Sequence, residues 1–381
     1  MKKAVIITCN DNYDYNTRTK YVEEFLKKQG FEIKHLISDF DHRSKKYYKA
    51  LHEGSIDYIH VNQYKKNLSI GRIIAQIRFA KGVEKYIKKN IPDLVYHCAP
   101  PNTTIAILSK IRKKKDFILV TEIGDMWPES IPVSELIKRI LSIPLGIWAG
   151  LRDKNLYSSD AVIAECNLFR NMLIEKTHLK NIKTIYFCKQ FAGGDILECQ
   201  SLKDEVILVY LGSINNIIDI ELIGLLIKTI NREKRVKLHI IGDGENKRAL
   251  IKASRNAGAR VVYHGTVFDE DVKKKIFDAS HFALNIMKNT VFVGMTMKSL
   301  DYFSYGIPMI NNIGGDIEKM IIEEDIGFNI SANNLKSCVA DILKISEKNY
   351  LTLRRNVKFS HDKYFSVENF EIQLTQALDL R

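Results

Sequence analysis

The chain has 381 residues, 45% of them apolar and 27% charged, with only seven prolines, which is enough for two or three buried cores and excludes a disordered or fibrous chain. Six cysteines without a C-x-x-C pair argue against a zinc site and a disulfide framework, and fit a reducing compartment. The net charge of +13 is uneven: residues 1–200 hold 33 Lys and Arg against 22 Asp and Glu, residues 201–381 hold 25 against 23, so either the N-terminal half meets something anionic or the charge only solubilises.

The apolar run 4–9 after Lys2 and Lys3 is too short for a signal-peptide core and reads as a first strand. No apolar stretch approaches the roughly 20 residues needed to cross a bilayer. The expected location is therefore the cytoplasm, or the inner face of a membrane without spanning it. Short apolar runs at 3–8, 56–61, 93–97, 117–121, 161–164 and 183–187 read as strands, with helices near 17–29, 70–89, 103–113, 133–157 and 167–177. After the loop 193–203 the alternation restarts, with strands at 206–211, 237–241, 261–264, 282–286 and 308–311 and helices near 219–231, 246–256, 270–278, 297–305 and 315–324. A last helix near 367–380 follows an irregular stretch containing His361 and Asp362. Such alternation predicts an α/β protein with two doubly wound Rossmann-like domains, 1–198 and 204–360, the segment 366–381 being free to pack back on the first. Ligands of such sheets lie outside the carboxyl ends of the strands, so a cleft between facing domains is the expected site.

The segment 294–310, GMTMKSLDYFSYGIPMI, joins a Gly-led loop, a helix starting near Met297, a Gly306 stop and a strand after Pro308. Unpaired N–H groups at such a helix start suit a diphosphate. Asp301, one turn in, either accepts from ribose hydroxyls or merely complements the helix dipole. With Lys298, Asp301, Tyr302, Gly306 and Pro308 set in this order, the segment resembles the K-x-x-E-Y-x-x-x-G-x-P stretch of GT-B fold glycosyltransferases, especially family 4 of the bacterial surface polysaccharide type. The resemblance implies that Gly294, Met295, Thr296, Met297 and Lys298 hold the donor diphosphate, Lys298 assisting catalysis, while Asp301 holds the ribose. It also implies a retained anomeric configuration, a UDP- or GDP-linked sugar as donor, no cofactor and no metal. Two positions depart from the family: Asp301 stands for the usual Glu, and Val293 where a first Glu is frequent.

Gly212 and Ser213 end the first strand of the second domain, where the family brings backbone to the phosphates. Gly242 and Gly244 match its hhGxG turn, though alone they read rather as a structural turn that needs no ligand, since Lys247 replaces the third glycine of a dinucleotide motif. In the first domain, residues 121–130, TEIGDMWPES, resemble the E-x-R-D-L-W-P-E-S segment of the same enzymes. Asp125 is the acceptor-side catalytic candidate. Trp127 and Glu129 are candidates to orient an acceptor sugar, Trp127 being alternatively a packed loop anchor. Gly124 stands where relatives carry a His. Asn16 and Arg18, at the opening of the first helix, are acceptor-side candidates beside a capping reading for Asn16. His97 is a cleft candidate or a core residue.

The apolar stretch 131–148, with Lys138, Arg139 and Trp148 and bordered by Lys110, Arg112 and Lys113 to Lys115, suits an anionic membrane surface as well as a packed helix. The expected partners are a nucleotide sugar, a glycan or lipid-linked acceptor and an anionic membrane surface. No nucleic acid is expected, since the basic residues lack interleaved aromatics. The function these readings converge on is transfer of a sugar from a nucleoside diphosphate to a glycan hydroxyl. A GT-B partner that has lost catalysis is the alternative, and a nicotinamide oxidoreductase rests only on the doubly wound pattern.

Overall fold

The computed structural model describes residues 1–10, 17–48, 54–131, 134–194 and 202–379. The chain divides into two compact units, Met1–Phe187 with Phe370–Arg381, and Cys188–Asn369. The division falls eleven residues before the expected end of the first domain at 198. Segment 188–193 goes with the second unit because Lys189 N–H donates to Phe365 O (2.9 Å), while Ala192 and Gly193 N–H donate to Ser304 O (2.7 and 3.0 Å).

The first unit is built on β1 (Lys2–Thr8), α1 (Thr17–Lys28), β2 (Phe31–Ser38), a small hairpin of β3 (Phe40–Asp41) and β4 (Lys46–Tyr47), β5 (Ile56–Ile59), α2 (Ile70–Lys89), β6 (Leu94–Ala99), α3 (Asn102–Arg112), β7 (Ile118–Ile123), α4 (Glu135–Ile140), α5 (Ser142–Asp153), β8 (Ala161–Ala164), α6 (Asn167–Thr177) and β9 (Ile182–Thr184). Its seven-stranded sheet is parallel, in the order β5-β2-β1-β6-β7-β8-β9. β2 was not expected from the sequence, because Glu32, Lys34 and His35 interrupt its apolar run. His35 nevertheless sits 1% exposed, its Nε2 2.9 Å from Glu23 on α1. The single helix expected over 133–157 is broken at Leu141 into α4 and α5. Pro144, which has no N–H to give, falls in the first turn of α5, where none is needed.

The second unit runs β10 (Glu205–Leu211), α7 (Ile220–Ile230), β11 (Arg235–Ile241), α8 (Lys247–Asn256), β12 (Arg260–Gly265), α9 (Glu270–Asp278), β13 (Phe282–Asn285), α10 (Met297–Ser304), β14 (Met309–Asn311), α11 (Asp316–Glu324), β15 (Gly327–Asn329), α12 (Leu335–Lys344) and α13 (Glu347–Tyr364), and α14 (Val367–Leu378) follows. Its parallel sheet has the order β12-β11-β10-β13-β14-β15, the doubly wound arrangement whose direction reverses between the first and fourth strands. Leu208, Leu238, Ile240, Leu284 and Ile310 are sealed in its core, each contributing about 1.5–3 kcal/mol by leaving water. His361 and Asp362, expected in an irregular stretch, lie in the last turn of α13. Arg354 and His361 on its buried face hide the helical period; Arg354 Nε donates to Gly306 O (3.0 Å), and His361 Nε2 lies 2.7 Å from Lys189 O. From Phe370 onward α14 goes with the first unit: Phe370 lies edge-on to Tyr21 and 4.7 Å from the Arg18 guanidinium.

Candidate functional site

In the second unit, the point where strand order reverses lies between Leu211, ending β10, and Asn285, ending β13. Three side chains fix the start of α10 there. Asn285 accepts from the Thr296 hydroxyl (3.0 Å) and donates to Ser299 Oγ (3.1 Å) and Asn311 Oδ1 (2.9 Å). Thr296 caps α10 by accepting from Ser299 N–H (3.2 Å). The sealed Tyr302 hydroxyl accepts from Leu211 N–H (3.1 Å) and donates to Leu284 O (3.0 Å), tying both strand ends to the helix. The N–H groups of Met297 and Lys298 are left with no acceptor among the described residues, a polar end suited to an anion. Met295 and the Thr296 side chain are buried, while Gly294 O accepts from Ile317 N–H (3.3 Å).

Lys298 carries the electrostatic signal at this helix start. Its ammonium lies 4.9 Å from the centre of the Tyr210 ring. It makes no ion pair among the described residues, and burial lowers its pKa to about 8. An unpaired, desolvated ammonium beside free helix N–H groups is an incomplete electrostatic arrangement that an anion completes. Asp301, one turn further, is ion-paired with Lys189, whose ammonium also lies 5.6 Å from the Tyr305 ring. Nothing local in the sequence reveals Lys189, which is 112 residues away from its partner.

Gly212 and Ser213 form the neighbouring turn. Gly212 has φ +127° and no atom closer than 4.0 Å to where a Cβ would be. Ser213 is exposed, and among the described residues only its carbonyl is engaged, by the Tyr210 hydroxyl (2.9 Å). Gly242 and Gly244 stand behind this turn rather than at its open side. A Cβ on Gly242 would meet Gly212 O at 2.0 Å, and one on Gly244 would meet Ile214 O at 2.3 Å. Their own N–H groups are spent on Gly265 O (2.7 Å) and Asp243 Oδ1 (2.7 Å). Both glycines therefore support the loop by letting two turns touch.

In the first unit, Asp125 and Trp127 follow β7. Burial raises the Asp125 pKa, opposed by hydrogen bonds from Ser130 and Trp127 and by the charge of Arg72. The Trp127 carbonyl accepts from Arg152 Nη1 (2.9 Å) and Asn102 Nδ2 (3.0 Å), and its indole carries the Arg72 guanidinium 4.2 Å from the ring centre. Two expected acceptor-side residues are committed to the fold. Glu129 is gripped by Arg152 through two bonds (2.8 and 2.9 Å) and by Lys176 (2.9 Å). Burial works to raise its pKa, but these partners outweigh it and the carboxylate titrates low. Arg18 is 2% exposed, paired with Glu122 (2.8 Å) and bonded to Tyr186 O (2.6 Å) and Ile185 O (3.1 Å). Asn16 lies outside the described residues. His97 is sealed in β6, and burial drives its pKa to about 3.

Residues 205–348 match the family model described as glycosyl transferases group 1. Among solved structures, sucrose-phosphate synthase from Thermosynechococcus elongatus is similar over 99% of this chain and 98% of its own, with TM-score 0.71 and 15% identity. Anabaena HepE, in complex with UDP, is similar over 100% of both chains with TM-score 0.67 and 13% identity. A glycosyltransferase from Rickettsia africae is similar over 99% and 98%, with TM-score 0.65 and 12% identity. No curated protein matches the chain. The fold is thus GT-B, with two Rossmann-like domains, as the resemblance in the sequence implied.

Proposed function

We propose that this GT-B chain, whose residues 205–348 match the group 1 glycosyl transferases, is a retaining glycosyltransferase that moves a hexosyl group from a nucleoside diphosphate sugar to a hydroxyl of a glycan acceptor. The observation that carries the reading is the unpaired Lys298 ammonium beside the free N–H groups of Met297 and Lys298. Breaking the bond between sugar and diphosphate leaves positive charge on the sugar and negative charge on the leaving phosphate. Donors already aimed at that phosphate stabilise the charge as it develops, without reorganising solvent. The open Gly212-Ser213 turn gives a second backbone approach to the same group. Asp125, its carboxyl held toward the neutral form by burial, is the acceptor-side candidate of the first unit, and Trp127 offers an indole face to a sugar. The UDP held by HepE supports trying uridine donors before guanosine ones.

Asp301 is the ribose partner in this reading. Asp301→Ala is expected to weaken nucleoside diphosphate binding by about 1–3 kcal/mol, the size of losing hydrogen bonds to a charged group. Unchanged affinity in a calorimetric titration would remove the ribose role. Transfer itself is tested by incubating the protein with UDP- and GDP-linked hexoses and a panel of glycan acceptors and measuring released nucleoside diphosphate. Acceptor-dependent release is expected. Nucleotide binding without release from any pair would instead favour a non-catalytic partner.

For the acceptor's location, α4 and α5 are informative. Leu136, Ile140, Ile143 and Ile147 are between 66% and 77% exposed, interleaved with Lys138 and Arg139, which suits the headgroup layer of an anionic membrane and a lipid-linked acceptor. Among the described residues no helix is long and apolar enough to cross a membrane. Binding to vesicles containing anionic lipid is expected and should fall as salt rises. Ile140→Asp with Ile143→Asp should abolish it. Binding that ignores both salt and the substitutions would contradict this placement.

A further inference from the structure

A second uncompensated cationic group lies in the first unit, around the start of α2. Arg72 is 5% exposed. Its Nη1 donates to Asn67 O (3.2 Å), while Nε is buried without a partner and Nη2 donates to nothing among the described residues. Asn67 also accepts, through its side-chain oxygen, from the ammonium of Lys45, which in turn donates to His42 O (2.5 Å) and lies 4.7 Å from the Tyr64 ring centre. One asparagine thereby gathers two cations.

The other buried arginines of this unit show what is missing. Arg18 has Glu122, and Arg152 has Glu129 and Asp153. No carboxylate among the described residues lies within ion-pair distance of Arg72 or Lys45. Asp41 and Asp125 act on them only from further off, and Asp125 is itself held toward its neutral form. His42, hydrogen-bonded to the Tyr64 hydroxyl (2.6 Å), adds no charge, since burial and then Arg72 and Lys45 press its pKa to about 3. A guanidinium kept out of water without a counter-charge is costly. A fork of free N–H donors backed by a flat indole matches the geometry of an oxyanion.

We propose that Arg72 and Lys45 bind an acidic group, phosphate or carboxylate, on the acceptor. Held over Trp127, two residues from Asp125, such a group would anchor the acceptor with a hydroxyl beside that carboxyl. The inference rests on the reading that the first unit receives the acceptor.

The binding test needs no transfer. Melting of the full chain is followed in methyl phosphate, in acetate and in chloride at equal ionic strength, with saturating UDP present to occupy a diphosphate site. Methyl phosphate or acetate is expected to raise the melting temperature by about 2–4 °C more than chloride at several times its Kd, and the better of the two names the acidic group. Arg72→Met and Lys45→Met, the latter at a partly exposed position, should each remove the extra shift, and Arg72→Lys should restore part of it. A shift no larger than chloride's, or one that survives both methionine variants, would overturn the proposal. Where transfer is measurable, acceptors with an acidic group should show KM at least tenfold below their neutral counterparts, a preference lost in both variants; equal KM values would also overturn it. Absence of any transfer bears on the transferase reading alone, because the melting response decides this one.

Discussion

Replacing Lys298 with methionine is expected to slow sugar transfer about 10²–10³-fold, the range found when one preorganised donor to a developing anion is removed. The loss should fall mainly on kcat, because charge on the leaving phosphate is greater in the transition state than in the bound donor. A pH signature accompanies it. The Lys298 pKa lies at about 8 in the free protein, pushed down by burial from an ordinary lysine value. As pH rises through 8 the site loses its positive charge, so nucleoside diphosphate affinity should decline there. Below that pH the ammonium is already formed and affinity should be flat; near and above it, binding should take up a proton, because the bound anion favours the charged form. Lys298→Arg should flatten the profile, since a guanidinium stays protonated throughout. Transfer within twofold of the unsubstituted protein in Lys298→Met would dismiss the role.

Gly242→Ala is expected to cost the second unit about 3–5 kcal/mol, combining a backbone conformation closed to L-residues with a steric collision. The added Cβ would stand 2.0 Å from Gly212 O at φ +134°, so the two turns must separate and nucleotide binding should go with them. Gly265→Ala provides the contrast. Its φ of +69° is left-handed, but nothing lies within 4 Å of the new atom, and about 1–2 kcal/mol is expected. Denaturant unfolding followed beside nucleotide titration reads both. Equal losses for the two variants would mean that the contact between the turns is not what Gly242 provides.

Local pattern carried much of the fold. Strand Ala161–Ala164 and helix Glu270–Asp278 coincide with what the sequence predicts, because continuous apolar runs and an Asp269 cap with acidic first-turn residues are signals confined to a few positions. Elements whose buried faces contain polar groups escaped it. β2 hides His35 against Glu23, and α13 buries Arg354 and His361, whose hydrogen bonds go to Gly306 and Lys189, far along the chain.

The candidate site divides in the same way. The start of α10 was legible because Gly294, Thr296 and Lys298 stand within five residues of sequence. The fates of Arg18 and Glu129 were not, since their partners Glu122 and Arg152 lie 104 and 23 residues away. Arg72 had no local signal at all. It is the third residue of an amphipathic helix, and only the missing counter-charge marks it.

The most direct test is calorimetric titration of the purified chain with UDP, GDP, ADP and NAD in separate runs without added metal, repeated on Lys298→Met. Selective binding of one nucleoside diphosphate, weakened at least tenfold by the substitution, is expected. Silence from all four, or binding that Lys298→Met leaves intact, would contradict a diphosphate site at the start of α10.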